Sequence, residues 1–184
     1  MKVGKFLVAF VFSLIFMAGN SVAMADDALL NDIQVNPQNY IANGGAGTGL
    51  SLWIFKPSLN VEQYAPPKYI ISIKRVMYSN QMIKKNGEWV KVISADWYGV
   101  KRYLYSYDER KIYVEEKDSS GNFIWQDISL KIAEGGGSLN PYTNDLSAAE
   151  LAFYFAYNKS FFDEPLSFPL KKCIETGELF TFDS

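Results

Sequence analysis

"VKRYLYSYDERKIYVEEKDSSGNFIWQDI", residues Val100 to Ile128, reads as three runs of β-branched and aromatic residues parted by two short polar breaks. "YDER" at Tyr107 to Arg110 and "DSSGN" at Asp118 to Asn122 have the Asp, Asn, Ser and Gly content of tight turns. Turns this short join antiparallel neighbours, because a parallel return needs a crossover on the order of a dozen residues. The stretch therefore predicts a meander, and runs upstream extend it: Leu50 to Phe55, Leu59 to Tyr64, Tyr69 to Ser79, Glu88 to Ala95 and Trp97 to Tyr107. Lys111 to Lys117 and Phe123 to Ile132 complete the series. "APP" at Ala65 to Pro67 and "KKNG" at Lys84 to Gly87 supply the remaining turns. An antiparallel sheet of five or six strands is the expected body of the fold.

Downstream the periodicity changes. "EGGGSLNPYTND", Glu134 to Asp145, ends the sheet region. Ser147 with Glu150 three positions on has the form of a capping box, and "AAELAFYFAYNK" then runs without a breaker to Lys159. Leu151, Tyr154, Phe155 and Asn158 share one side at helical spacing, with Phe153 and Tyr157 flanking it. Such a helix has more apolar surface than solvent tolerates, so it is expected to pack on one sheet face through Leu151 and Phe155. That would leave the opposite face as the available contact surface. The tail from Phe161 holds two prolines and predicts short extended pieces, with one turn of helix before Gly177. The fold class is α+β: one domain over residues 50–184, preceded at 26–49 by an arm or short helix and a glycine loop.

That loop, "NGGAGTGLSLW" at Asn43 to Trp53, resembles a phosphate cradle in composition only. Gly49 is followed by Leu50 and Ser51 rather than by Lys and Ser or Thr, and a strand-like run follows where a phosphate site needs a helix N-terminus. It reads as a turn. At the chain's start, Lys2 and Lys5 precede the apolar stretch Phe6 to Met17, and Ala23-Met24-Ala25 forms a small-x-small cleavage site before Asp26. Residues 1–25 are expected to be a secretory signal, too short in its apolar part to span a bilayer comfortably. The mature protein would be exported, to periplasm, cell surface or medium, with no stable membrane span. The net charge of −2 becomes −4 once Lys2 and Lys5 leave, which gives no electrostatic reason to expect nucleic acid.

Two scarcities narrow the chemistry. There is no histidine, which removes the usual general base at neutral pH and the commonest transition-metal ligand. Cys173 is the single cysteine, so no disulfide can form within the chain. It reads as a small apolar residue or as a thiol able to link two chains into a homodimer. No motif points to a catalytic residue, a cofactor or a metal. Carboxylates at Glu115, Glu116, Asp118, Asp127, Asp145, Glu150, Asp163 and Glu164 leave open a hydrolase of envelope polysaccharide working with an acid pair. "DSSGN" lacks the alternating ligands and distal glutamate of a calcium loop. The most distinctive feature is aromatic: Tyr103, Tyr105 and Tyr107 alternate along one strand and so share a face. Buried, they would seat the helix; exposed, they would form a partner-contact surface suited to protein or sugar.

Taken in order, "SLWIFKPSLNVEQ", "YIISIKRVMYSN", "YGVKRYLYSYDERKIYVEE", "GNFIWQDI" and "AAELAFYFAY" resemble the surface-adhesin protein E-like family of small exported bacterial proteins. The resemblance spans Leu50 to Tyr157 and implies an antiparallel sheet flanked by a C-terminal helix. Members tend to carry paired cysteines, one near the "YD" step, whereas here Glu109 follows Asp108 and no pair exists. Export, the missing histidine and the aromatic sheet together predict a non-enzymatic module binding a protein or cell-wall ligand.

Overall fold

A computed structural model describes residues 27–45, 49–129 and 141–180. The signal reading at 1–25, the middle of the glycine loop and most of the Glu134–Asp145 linker lie outside them. Helix α1 (Asp27–Val35) and a short turn lead into six strands: β1 (Tyr40–Gly45), β2 (Leu50–Ala65), β3 (Lys68–Lys85), β4 (Glu88–Ser106), β5 (Lys111–Lys117) and β6 (Phe123–Asp127). Helices α2 (Pro141–Tyr157) and α3 (Phe168–Thr176) follow. Each strand pairs antiparallel with the next, in the order β1-β2-β3-β4-β5-β6. The fold is the expected α+β meander.

The seven strand-like runs condense into five strands, because two expected breaks are irregularities within continuous strands. In β2 the register slips between Phe55 and Asn60, where Ser58 turns inward to accept a hydrogen bond from the Lys74 amide at 2.7 Å. In β4 a bulge sets Arg75 opposite Gly99 and Val76 opposite Trp97. The segment expected to be an arm or short helix supplies both the helix α1 and the sixth strand, β1. Its first two residues, Tyr40 and Ile41, are both fully buried, because each points to a covered face. The glycine loop is the β1–β2 turn: Gly49 has φ 77°, and a side chain there would meet the Asn80 carbonyl at 2.3 Å. Across that close approach the Asn80 amide donates to the Gly49 carbonyl at 2.7 Å. At the far end of β3, Asn86 and Gly87 at φ 53° and 89° form the two-residue turn that twisted hairpins favour.

The sheet is covered on both sides. On one face Ile41, Ile54, Ile71, Ile73, Tyr103, Tyr105, Ile112 and Val114 pack under Leu146, Ala149, Leu151 and Phe153 of α2, with Phe161 and Leu170 beyond. On the other, Tyr40, Trp53, Val76 and Ala95 hold Leu29 and Ile33 of α1. The second face is therefore not wholly free for contact, as α2 packing alone implied.

Helix α2 starts at Pro141, ahead of the expected cap. Ser147 lies inside it, buried, with its hydroxyl unpartnered among the described residues. Glu150 does not reach back to Ser147; its carboxylate accepts from the Leu166 and Ser167 amides at 2.8 and 2.7 Å, at the start of α3. Proline at the first helical turn is well tolerated, because its missing amide donor would be unpaired there in any case. The packing side also differs from expectation: Phe153 is buried, whereas Phe155 is half-buried with Lys56 Nζ over its ring at 4.9 Å. Helix α3 is longer than the single turn expected and ends at Gly177, φ 72°, whose amide donates to the Cys173 carbonyl.

A tyrosine pocket as the candidate functional site

Tyr64 is the last residue but one of β2 and Tyr69 the second of β3, and the hairpin through Pro66 and Pro67 sets the two opposite each other. The Tyr107 amide donates to the Pro67 carbonyl at 2.8 Å, which fixes the β4–β5 turn beside the β2–β3 turn. Over both comes the last turn of α2, where Phe153 and Tyr157 are four apart and so on one side. Asn158 adopts φ 53° and ends the helix, its amide bonded to the Tyr154 carbonyl. The chain then turns back through Lys159 and Ser160.

These segments enclose a cavity of about 450 Å³ lined by Tyr64, Tyr69, Tyr107, Phe153, Tyr157, Lys159 and Ser160. Its rings lean on one another rather than stack. Tyr64 and Tyr69 are 5.4 Å apart at 69°, Tyr69 and Tyr157 5.5 Å at 62°, and Phe153 and Tyr157 4.8 Å at 57°. Tyr105 and Phe161 support Phe153 from behind at 5.0 and 5.2 Å. Tyr64 at 67% and Tyr107 at 43% exposure form the accessible rim. Burial, then the neighbouring Tyr64, Tyr107 and Asp108, hold the Tyr69 hydroxyl above its usual range; burial likewise raises Tyr157. Both hydroxyls therefore remain protonated donors at neutral pH. The Tyr157 and Ser160 side-chain oxygens are buried and have no hydrogen-bond partner among the described residues.

The tyrosine stripe divides at its third member. Tyr103 and Tyr105 are fully buried beneath α2, Tyr103 donating to Asp145 at 3.3 Å and Tyr105 to the Ala149 carbonyl at 2.7 Å. As a partner-contact surface the three are corrected: only Tyr107 reaches solvent, because α2 occupies the face that the other two share. Desolvation pushes both buried phenols well above their usual range. Sequence reasoning missed Tyr64, Tyr69, Phe153 and Tyr157 as a group. The signal was present in two fragments, a tyrosine pair straddling "APP" and an aromatic pair spaced four on a helix, but nothing in the sequence brings those fragments together.

The carboxylates are engaged elsewhere. Glu116 meets Lys101 at 2.5 Å, and Arg102 bridges Glu62 and Glu115 on the α1 side of the sheet. Asp127 pairs with Lys111 at 3.2 Å and Asp163 with Arg110 at 2.8 Å. Asp118 accepts from the Ser120 and Asn122 amides, so its oxygens close the "DSSGN" turn. Asp145 forms a buried pair with Arg75, and burial raises its pKa against the pull of that guanidinium. Glu164 and Glu175 line a separate depression of about 310 Å³ beside Lys171. Among the described residues no three metal-ligating side chains converge, and no helix is long and apolar enough to cross a membrane. Cys173 is buried on α3, and burial pushes its thiol up.

A second exposed feature is the outer β3–β4 hairpin. Beta-5 pairs with β4 only from Tyr103 to Ser106, and β2 pairs with β3 no further than Ser79. Beyond these points the hairpin runs on as a two-stranded ribbon with Met82, Ile83, Trp89, Val90, Val92 and Ile93 exposed.

No family model matches this chain, and no curated protein or solved structure matches it.

Proposed function

We propose that the protein is an exported module of the cell envelope that binds a cell-wall or protein ligand without transforming it. The single observation that carries this reading is the tyrosine pocket. Its walls are aromatic, its hydroxyls are donors, and among the described residues no carboxylate lines it to serve as a general acid or base. Large amphipathic rings held by packing present contact area at little entropic cost, as recognition surfaces require. The secretory reading of residues 1–25 and the resemblance to the surface-adhesin protein E-like family support an envelope address.

The test uses purified protein lacking residues 1–25, mixed with washed cell-wall material and sedimented. Wild type should co-sediment, and Tyr64→Ala or Tyr107→Ala should each lower the bound fraction by about fivefold, as expected for a loss on the order of 1 kcal/mol at a contact residue. Both positions are exposed, so the variants should fold. Failure of wild type to sediment, or equal retention of both variants, would remove the pocket from the function.

A further inference from the structure

We propose that the tyrosine pocket receives an acidic sugar unit, a pyranose ring bearing a carboxylate; this deepens the reading just given and rests on it. Three properties of the lining converge on that chemistry. First, the walls meet at angles: Tyr64, Tyr69 and Tyr157 are mutually inclined by 69°, 62° and 48°. A flat aromatic guest gains most by lying parallel to a ring, whereas a puckered pyranose directs C–H bonds toward several inclined faces at once. Second, the buried Tyr157 and Ser160 oxygens lack partners among the described residues, in a lining that is otherwise largely aromatic. An unpaired buried polar group costs about 1–3 kcal/mol, and since neither oxygen has accessible surface as placed, a guest carrying hydroxyls relieves that penalty by drawing the Tyr157 or Ser160 side chain round to face the cavity, which a hydrocarbon guest does not do. Third, the one charged side chain of the lining is Lys159, exposed just past the end of α2.

That lysine decides between guests of opposite charge. An aromatic cage of this composition could hold an ammonium group through cation–π contact, but a cation here would lie beside Lys159, while Asp108, the carboxylate that acts on the Tyr69 hydroxyl, stands outside the lining. A carboxylate on the sugar is attracted instead. The cavity of about 450 Å³ is of a size for small-ligand sites, and its open rim at Tyr64 and Tyr107 would let a polymer continue on both sides of the bound unit.

Titration calorimetry with trigalacturonate, cellotriose and a glucosamine trimer tests this on the protein lacking residues 1–25. The acidic trimer should bind about tenfold more tightly than the neutral one, a difference of roughly 1.4 kcal/mol, with the glucosamine trimer weakest. Raising salt should narrow that ratio. Lys159→Gln should bring the ratio of acidic to neutral affinity close to one, chiefly by weakening trigalacturonate, and Tyr64→Ala should weaken both trimers with the ratio kept. A neutral trimer binding as well as the acidic one, or an unchanged ratio in Lys159→Gln, overturns the assignment. So does binding of none of the three while wall material still sediments through Tyr64; the module reading would then stand and the sugar would fall. Loss of sedimentation as well would remove both. Free galacturonate beside its trimer distinguishes recognition of a released sugar from recognition of a chain.

Discussion

Phe153 and Phe155 are two positions apart on α2 and have different surroundings. Phe153 is 4% exposed and touches the rings of Tyr69, Tyr105, Tyr157 and Phe161. Phe155 is half-buried beneath Lys56. Truncating Phe153 to alanine should therefore cost about 3–5 kcal/mol, from lost transfer energy and the cavity left among rings that cannot collapse. Phe155→Ala should cost only about 1–2 kcal/mol, the sum of partial burial and one cation–π contact. Urea titrations of the two variants check this, and a reversed order would mean that α2 presents its other side to the sheet. The sequence favoured Phe155 because Leu151 and Phe155 make a tidy i, i+4 pair. Helical spacing identifies which residues share a side but not which side wins when nearly every position is apolar. Here Phe161 and Leu170 pack with the helix beyond the sheet, and Ala152 is buried as well as Leu151 and Phe153, so no single stripe marks the contact.

At the scale of elements, α2 shows how a local motif can be present and unused. The Ser147 and Glu150 spacing fits a capping box, yet Pro141 already lies in the helix and Glu150 serves the beginning of α3. A cap for one helix became the anchor of another. Burial holds the Glu150 carboxyl above its ordinary value of 4.5, opposed by its hydrogen bonds to Ser167 and to the Leu166 amide. A carboxyl raised in the folded state contributes stability that is fully present below its unfolded value and is lost as pH rises through the folded one. Wild type should accordingly gain stability relative to Glu150→Gln as the pH is lowered from 7 toward 4.5. Urea midpoints at several pH values measure that gap, and a gap independent of pH would refute the burial argument. Hairpins, by contrast, were legible: "APP", "KKNG", "YDER" and "DSSGN" each join the strands they were expected to join, because turn chemistry is local. Strand β1 was not legible. "YIANGG" alternates poorly, and its buried apolar residues, Tyr40 and Ile41, face opposite layers that the sequence does not announce.

For the whole molecule, the meander order followed from the shortness of the turns, whereas the placing of α1 and α2 on opposite faces did not, since neither helix carries a signal for its side. The ribbon beyond Ser79 sits outside both layers. Its amides between Met82 and Val92 should exchange with deuterium well before those of Ile70 to Val76, which have strands on both sides and helices above and below. Peptide-level exchange measures this, and equal protection would show the ribbon covered by another chain. The joining of α2 to the sheet bears on how the protein is made. Asp145 answers Arg75 from 70 positions later, and Ala149 answers Tyr105 from 44. A chain emerging from the ribosome in order thus completes its central strands while their isoleucines, tyrosines and one guanidinium still face water. Until the segment near residue 150 arrives, the nascent sheet is a sticky surface carrying an unmatched cation. Whatever escorts the chain during synthesis has to shield that surface, and a message cut short ahead of α2 would yield an adhesive fragment rather than a smaller version of the protein.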